Sequence, residues 1–288
     1  MILVIAGATG TGKSELAIEL AKRLDGEVIN ADAFQVYQEL SIATEKPSLA
    51  MRGSVPHHLF DFVPLLEDYD VERYQRELRK SLKDGLGRGK TAIIAGGSGL
   101  YLRAALFDYS FSASPRSFDE SKYASLTNEE LHEKLVSIDP EEAKKLHPNN
   151  RRRVLRAIEI YESEGRRKSE MDAEQTHAPI FDCRFFGLKP DREFLYEKVE
   201  KRVDLMFSAG LVEEDLRLIG KYGRTPHAFQ AIGVKELFPY LDGKISLEEA
   251  KEEIKKNTRH YIKRQDTFFA HQFEIEWVNG FEEILEAL

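Results

Sequence analysis

The chain has 288 residues, of which 42% are apolar and 32% charged, a composition typical of a globular protein with one large domain or a core domain that carries an insert. No apolar run reaches the length of a transmembrane helix, and the first apolar run is too short for a secretory signal peptide, so we expect no membrane partner. The single cysteine, Cys183, excludes an internal disulfide framework and stands in no CxxC or histidine-rich metal motif, which favours a cytoplasmic location.

The net charge of −8 argues, taken alone, against a nucleic-acid partner. The positive charge is nevertheless concentrated in two stretches, residues 151–168 and 255–264. Because a phosphate backbone responds to the local field of such a cluster, the acidic total does not exclude RNA binding. The alternative is that both clusters are ordinary solvated helix faces, and the charge pattern alone leaves both interpretations open.

The first third of the chain alternates between strands and helices. Apolar strands are predicted at 2–6, 27–31 and 91–95, and helices at 13–24 and 70–86. Strands that alternate with helices predict a parallel sheet covered by helices on both faces, with ligands bound at the carboxyl ends of the strands. The predicted fold class is therefore α/β.

The pattern changes near residue 107. Residues 110–121 are rich in serine and include Pro115, and a capping box at Thr127 and a helix start at Asp139-Pro140 then predict short helices. A basic helix at 150–164 is predicted to end at Gly165. A strand at 181–188 contains Cys183 as a small apolar residue, helices follow at 191–209 and 246–269, and a last strand at 274–278. We therefore predict a core of residues 1–110 and 181–288 with a helical insertion domain at 111–180.

One motif predicts a phosphate site. Residues 7–14, which are Gly7, Ala8, Thr9, Gly10, Thr11, Gly12, Lys13 and Ser14, match G-x-x-x-x-G-K-[ST] between a predicted strand and a predicted helix. The glycines let backbone N–H groups turn toward a phosphate, the helix N-terminus and Lys13 add positive charge, and the Ser14 hydroxyl can bind Mg²⁺. The core is thus expected to resemble the P-loop NTPases, although the motif does not say which di- or triphosphate is bound.

The positions of the carboxylates near this loop favour a general base over the acidic metal ligand of a phosphoryl-transfer enzyme. A phosphoryl-transfer enzyme usually has an acidic metal ligand at the end of an apolar strand, yet strand 91–95 runs into Gly96-Gly97. Strand 27–31 instead delivers Asp32, which stands where a general base is needed.

Seven further stretches resemble the signature motifs of the tRNA dimethylallyltransferases, also called tRNA isopentenyltransferases. In chain order they are INADAFQVYQELSIATEKP (29–47), VPHHLFD (55–61), GGSGLY (96–101), RRVLRAIEIY (152–161), RVDLMFSAGLVEED (202–215), QAIGVKE (230–236) and TRHYIKRQDTFF (258–269). The resemblance covers residues 1–269 in the family's order, and the combination is highly specific.

The resemblance implies a function and a set of catalytic residues. The family transfers a dimethylallyl group from dimethylallyl diphosphate to N6 of the adenosine 3′ of the anticodon in tRNA, and releases diphosphate. By this resemblance the P-loop holds the prenyl diphosphate with Mg²⁺ on Ser14, and Asp32 is the base. Arg202 binds the diphosphate, as does the hydroxyl of Ser98, where the family usually has threonine.

The resemblance also implies a binding surface for the anticodon stem-loop of tRNA. Its residues are Asp32, Ala33, Phe34, Gln35, Arg152, Arg153, Val154, Leu155, Arg156, Gln230, Gly233, Lys235, Lys263, Arg264 and Gln265. The chain departs from the family at Val234, where tyrosine is usual, and at Phe268 and Ala270, where tryptophan and arginine are usual. These departures bear on the RNA contacts and leave the diphosphate site intact.

Several of these residues have simpler structural alternatives. Asp32 could cap a helix, Ser98 could cap the helix after Gly96-Gly97, and Arg202 could form a surface ion pair with Asp204 or Glu214. His57 and His58 are adjacent, and on an extended chain their side chains point in opposite directions, so we expect local hydrogen bonds and no metal site.

Three other functions stay open at this point. The nearest is an adenine-nucleotide isopentenyltransferase, which would need no basic insert. A P-loop small-molecule kinase would consume ATP, and a nucleotide-switched RNA-binding module would use no prenyl donor. We expect a monomer, because no strong unpaired apolar face is evident in the sequence.

Overall fold

The computed structural model describes residues 1–111 and 118–288, so Pro115 in the serine-rich stretch lies outside the described residues. The chain forms two compact units, one made of Met1–Leu106 with Ile180–Leu288 and one made of Phe107–Pro179. The boundaries expected for the insertion, 111 and 180, fall within four residues of these positions.

The first unit is built on one sheet. Within the described residues its strands are Ile2–Ala6 (β1), Gly26–Asn30 (β2), His57–His58 (β3), Thr91–Gly96 (β4), Arg184–Leu188 (β5) and Glu276–Val278 (β6). All neighbouring strands are parallel, in the order β3-β2-β4-β1-β5-β6, which confirms the predicted parallel α/β sheet. The two-residue strand β3 was not predicted, because a pair of histidines carries no periodicity.

The helices of this unit cover the sheet. They are Lys13–Arg23 (α1), Leu49–Arg52 (α2), Val71–Gly87 (α3), Gly99–Leu106 (α4), Arg192–Ser208 (α9), Leu211–Tyr222 (α10), Phe238–Leu241 (α11), Leu247–Gln272 (α12) and Phe281–Ala287 (α13). Leu3 and Ile5 of β1 form a buried cluster with α1 and with Ile284 of α13. Helix α3, whose Tyr74, Leu78 and Leu82 are buried, packs against β2, β4 and α4.

Cys183 is not a strand residue, contrary to the prediction. Strand β5 begins at Arg184, one residue later, and Cys183 is half-buried. Burial raises the pKa of its thiol to about 11, which keeps the thiol protonated and unreactive at neutral pH.

The second unit is helical. Its helices are Asn128–Ile138 (α5), Pro140–Lys145 (α6), Arg151–Glu164 (α7) and Lys168–Glu174 (α8), preceded by a 3₁₀ turn at Glu120–Tyr123. The predicted start and stop signals are confirmed. Thr127 and Glu130 form the capping box of α5, Asp139 caps α6, and Gly165 ends α7 with a φ of 68°. Leu131 and Leu135 of α5 pack against Val154, Leu155 and Ile158 of α7 to form the core.

No helix in the described part of the chain is both long and apolar enough to cross a lipid bilayer.

A buried acid in the first unit makes the stability of the fold depend on pH. Asp215 lies on α10, is fully buried, and has no hydrogen-bond partner for either carboxylate oxygen within the described residues. Burial, with smaller effects of Glu214 and Glu236, raises its pKa to about 8. The native state therefore retains a proton that the unfolded state, with an ordinary aspartate pKa of about 4, releases. It follows that the free energy of unfolding falls as the pH rises from about 4 to about 8.

We predict that Asp215→Asn raises the thermal unfolding temperature, and more so at about pH 8 than at about pH 5. The amide is uncharged at both pH values, so folding no longer requires a carboxyl group to stay protonated. Circular dichroism melts of wild type and variant at both pH values measure the effect. The matched control is Asp182→Asn at an exposed position, where no such difference is expected. An equal gain from Asp215→Asn at the two pH values would contradict the assignment.

Candidate active site

The P-loop joins β1 to α1, and its glycines take backbone conformations that other residues rarely adopt. The φ angles of Gly7, Gly10 and Gly12 are 135°, 82° and 99°. A Cβ atom on Gly10 would also lie 2.5 Å from Val199 Cγ1 on α9. The loop therefore needs glycine for its shape and for its close contact with α9.

Lys13 is buried beneath the loop. Its Nζ donates a hydrogen bond to the Ala8 carbonyl oxygen at 2.5 Å. Burial lowers the pKa of Lys13 to about 8, and the positive charge of Arg202 acts in the same direction, while Asp32 opposes the shift. An anion bound in the loop would favour the protonated lysine, because it adds an opposite charge in a site with little water.

Gln265 of α12 connects the P-loop to the end of β4. Its Oε1 accepts a hydrogen bond from Thr9 N–H, and its Nε2 donates one to the Gly97 carbonyl oxygen, both at 2.9 Å. A Cβ atom on Gly97 would lie 2.1 Å from Gln265 Nε2, so this contact needs glycine. Gln265 is buried, and both groups of its amide form hydrogen bonds within the protein, so its contact with RNA stays a prediction.

Asp32 follows β2 and forms a tight turn. Its Oδ1 accepts hydrogen bonds from Phe34 N–H at 2.8 Å and Gln35 N–H at 3.2 Å, so Asp32 caps a turn and does not cap a helix, since the next helix begins at Leu49. Both contacts use Oδ1, which leaves Oδ2 as the oxygen that can accept a proton. Burial raises the pKa of Asp32, whereas the two N–H donors and then Lys13 lower it.

The hydroxyl of Ser98 supports the same turn. Ser98 Oγ accepts a hydrogen bond from Ala33 N–H at 3.0 Å, and its backbone oxygen accepts one from Leu102 N–H at the start of α4. Ser98 therefore begins the helix after Gly96-Gly97 and also fixes the residue next to Asp32.

Arg202 of α9 lies against the P-loop and pairs with a residue that the sequence analysis did not select. Its Nε forms an ion pair with the carboxylate of Glu45, and its Nη2 lies 3.4 Å from Thr9 Oγ1. The alternative partners are engaged elsewhere. Asp204 pairs with Lys251 and Lys255, and the Glu214 carboxylate accepts backbone N–H bonds from 41–43. The only sequence signal for Glu45 is that a carboxylate stands in the ATEKP stretch (43–47), which resembles a family motif.

Two cavities meet at these residues. The larger, of about 440 Å³, is lined by the P-loop and by polar side chains that include Lys13, Ser14 and Gln35. The smaller, of about 190 Å³, is lined by the rings of Phe34 and Tyr261 and by charged side chains that include Lys235 and Arg264. The residues Thr9, Asp32, Glu45 and Arg202 line both. Groups bound in the two cavities would therefore meet beside Asp32.

The structure separates the residues expected at the RNA surface into exposed and buried groups. The exposed ones are Arg152, Arg153, Gln230, Lys235, Lys263 and Arg264. Val154 and Leu155 are buried in the core of the second unit, so their side chains are not part of the exposed surface expected to bind RNA. Gly233 is also buried and forms a turn with a φ of 104°, and its N–H donates to Glu236.

The remaining residues expected at the RNA surface, other than the buried Gln265, are half-buried. Ala33, Phe34 and Gln35 are half-buried in the turn after β2. Gln35 Nε2 donates to the carbonyl oxygens of Thr44 and Glu45, so its amide group is used internally. Arg156 is half-buried and pairs with Glu159 at 2.7 Å.

The three residues that depart from the family pattern differ in their surroundings. Val234 is fully buried, so its side chain belongs to the core of the first unit. Phe268 packs against Gly99 at the start of α4, where a Cβ atom would lie 2.3 Å from its ring. Ala270 is exposed.

Most of the remaining basic residues in the two clusters pair with acids or carbonyl groups. Arg151 donates to the carbonyl oxygens of Tyr123 and Leu126. The other pairs are Arg166–Glu174, Arg167–Glu170, Lys168–Asp172, Lys255–Glu252, Lys256–Glu253 and Arg259–Glu200. For these residues the structure supports the solvated, ion-paired helix face.

His57 makes the local contact that was predicted, whereas His58 contacts a side chain of β2. His57 Nδ1 lies 2.8 Å from the Val55 carbonyl oxygen, and His58 Nε2 lies 2.8 Å from Glu27 Oε2. In residues 1–111 and 118–288 no group of three or more His, Cys, Asp or Glu side chains could hold a metal ion by itself.

We predict that Gln265→Ala weakens the binding of inorganic diphosphate about tenfold, because Thr9 N–H loses the acceptor that fixes its direction. Isothermal titration calorimetry with Mg²⁺ present measures the affinity. Thr267→Ala, an exposed change on the same helix, is the control and is expected to bind as wild type does. Unaltered affinity in Gln265→Ala would show that the loop holds its shape without this contact.

Comparisons with known proteins identify the family to which the chain belongs. Residues 35–272 match the family model described as IPP transferase. The tRNA dimethylallyltransferase of Anoxybacillus flavithermus is 42% identical over 277 residues, which cover 96% of this chain and 89% of that protein. The crystal structure of a tRNA isopentenylpyrophosphate transferase from Staphylococcus epidermidis is 37% identical, with a TM-score of 0.73, and the match covers 99% of this chain and 96% of that one.

A second solved structure, of a eukaryotic dimethylallyltransferase acting on tRNA, is 34% identical with a TM-score of 0.82, and the match covers 96% of this chain and 73% of that one. Because the family model covers most of the chain and the identity extends over nearly its whole length, the chain belongs to the IPP transferase family, which includes the tRNA dimethylallyltransferases that it resembles.

Proposed function

We propose that this prenyl-transferring enzyme moves the dimethylallyl group of dimethylallyl diphosphate to N6 of the adenosine 3′ of the anticodon in tRNA and releases diphosphate. The observation that carries the proposal is the position of Asp32 on the wall shared by the P-loop cavity and the smaller cavity that the rings of Phe34 and Tyr261 line. The first cavity suits a diphosphate and the second a planar base, so the reacting atoms would meet beside the carboxylate.

Asp32 supplies the base. The adenine amino group is a poor nucleophile because its lone pair is delocalised into the ring. As the bond forms between N6 and the allylic carbon, the bond from that carbon to the diphosphate oxygen breaks, and the N6 proton passes to Asp32 Oδ2. Burial raises the pKa of Asp32 and makes it a stronger base, while nearby Lys13 favours the ionised form that can accept a proton.

The P-loop and Arg202 stabilise the leaving group. Negative charge grows on the diphosphate as the carbon–oxygen bond breaks, so N–H donors and fixed positive charges at that place lower the barrier. The loop supplies backbone N–H groups at the N-terminus of α1, and Lys13 and Arg202 supply the charges.

The residues present fit Mg²⁺ as the cofactor. Ser14 lines the P-loop cavity and offers a hydroxyl oxygen, a hard ligand of the kind that Mg²⁺ prefers. Few protein ligands are needed, because in P-loop sites the phosphate oxygens complete the coordination. When bound, the ion would neutralise charge on the diphosphate, and Ser14 would hold it.

The exposed basic residues support tRNA as the acceptor. Arg152 and Arg153 are exposed on α7, and Lys235, Lys263 and Arg264 are exposed in the first unit. The target base must leave its stack to reach Asp32, and the half-buried ring of Phe34, which stacks on His227, offers an aromatic surface beside it. A monomer located in the cytoplasm completes the proposal.

The proposed function is tested by incubating the protein with dimethylallyl diphosphate, Mg²⁺ and an unmodified tRNA with adenosine 3′ of its anticodon. Mass spectrometry of the digested RNA should show one added five-carbon group on that adenosine. Parallel reactions with AMP as acceptor and with ATP as donor are the controls. Prenylated AMP with unmodified tRNA would favour a nucleotide prenyltransferase, and a phosphorylated product would favour a kinase.

We predict that Asp32→Asn lowers turnover by at least about 100-fold while both substrates still bind, because asparagine keeps the Oδ1 acceptor of the turn and loses the base. Single-turnover rates and separate binding titrations for tRNA and donor measure the two effects. Turnover within about threefold of wild type would remove Asp32 from the role of base.

We predict that the double variant Arg152→Ala/Arg153→Ala flattens the salt dependence of tRNA binding by about two units of log–log slope, because each exposed arginine releases about one counterion. Titrations at three ionic strengths measure the slope, and donor affinity should not change. The matched control is Arg166→Ala/Arg167→Ala in the same unit, where both arginines pair with glutamates. Equal slopes in the two double variants would show that α7 presents only a solvated face.

A further inference from the structure

Arg202 has two edges that face different partners. Its Nε pairs with the Glu45 carboxylate. Its Nη2 lies 3.4 Å from Thr9 Oγ1, and its Nη1 would lie 3.3 Å from a Cβ atom on Gly10, so both Nη groups face the P-loop. A guanidinium group is planar and rigid, so a partner that fixes one edge also fixes the direction of the other.

The backbone of Glu45 is held in an unusual conformation. Its φ angle is 52°, in the left-handed region that a glutamate rarely adopts. Gln35 Nε2 donates to the carbonyl oxygens of Thr44 and Glu45, at 2.9 and 3.3 Å, and secures this turn. Next in the chain, Lys46 Nζ donates to Asp61 Oδ1 at 2.7 Å. Such over-determined strain is typical of functional sites.

Glu45 also lines both cavities at the wall that it shares with Asp32 and Arg202. A carboxylate there repels a diphosphate, so Glu45 does not act by attracting the donor. The Glu45 carboxylate contacts Arg202, and we attribute its effect on the reaction to that contact.

We propose that Glu45 is a positioning residue, which holds the Nε edge of Arg202 so that both Nη groups face the phosphate loop. The proposal rests on the role of Arg202 in stabilising the departing diphosphate. Because Arg202 stabilises charge that develops in the transition state, we expect Glu45 to affect kcat more than the affinity for the donor.

Two substitutions of Glu45 distinguish the effect of its side-chain length on kcat from the effect of its charge. Glu45→Gln keeps the length of the side chain and an oxygen at the position that contacts Nε, so its kcat should stay within about threefold of wild type. Glu45→Asp keeps the charge but is one methylene shorter, so its kcat should fall about tenfold with donor KM unchanged or lower. Glu19→Gln removes a charge from an exposed position of α1 that does not line this cavity and should change kcat less than about twofold.

A double-mutant cycle tests whether Glu45 acts through Arg202. Arg202→Ala should lower kcat, and adding Glu45→Asp to it should cause less than about a twofold further change, because no guanidinium is left to orient. The same tenfold loss from Glu45→Asp in both backgrounds would overturn the proposal, as would a loss in Glu45→Gln as large as that in Glu45→Asp. Wild-type kcat in Arg202→Ala would instead overturn the assigned role of Arg202, and with it that of Glu45.

Discussion

The site depends on the contact between Gln265 and the two glycine-rich turns at the carboxyl edge of the sheet. One amide group joins Thr9 of the P-loop to Gly97 beyond β4. A Cβ atom on the neighbouring Gly96 would lie 2.1 Å from the Ala31 carbonyl oxygen, so the ends of β2 and β4 are equally close. Three strand ends therefore converge. The P-loop, Asp32 and Ser98 occupy fixed positions before any substrate arrives, which is the condition for electrostatic stabilisation without reorganisation.

Buried charges of both signs surround this meeting point. Lys13 and Arg202 are the cations and Asp32 and Glu45 the anions, and burial shifts the pKa of each group toward its neutral form. Their mutual attraction opposes these shifts, so the site retains charges that an apolar pocket would not tolerate. An arriving diphosphate therefore meets cations that are already desolvated and oriented, with Glu45 as the group that holds Arg202 in place.

The sequence predicts the parts of this protein that depend on local patterns. The alternation of strands and helices, the P-loop and the caps at Thr127 and Asp139 each require only nearby residues, and each was found where expected. Contacts between distant segments leave no such pattern. The pairing of Glu45 with Arg202 joins residues 157 positions apart in the sequence, and the bonds from Gln265 join α12 to the first and third predicted strands. The resemblance to a family named functional positions, but it could not say that Gln265 and Leu155 face inward.

Location explains how an acidic chain can present a basic surface. Seven of the twelve lysines and arginines in the two clusters pair with carboxylates. The exposed pairs, which are those of Arg166, Arg167 and Lys256, contribute little to stability, and in each pair the two charges screen each other's field. Arg152 and Arg153 are exposed, and they belong to a helix whose opposite face, with Val154, Leu155 and Ile158, is held in the core of its unit. The apolar face fixes the helix, and so the two arginines need no acidic partner to keep their place. A net charge of −8 counts every paired residue, whereas a phosphate backbone senses the unpaired ones.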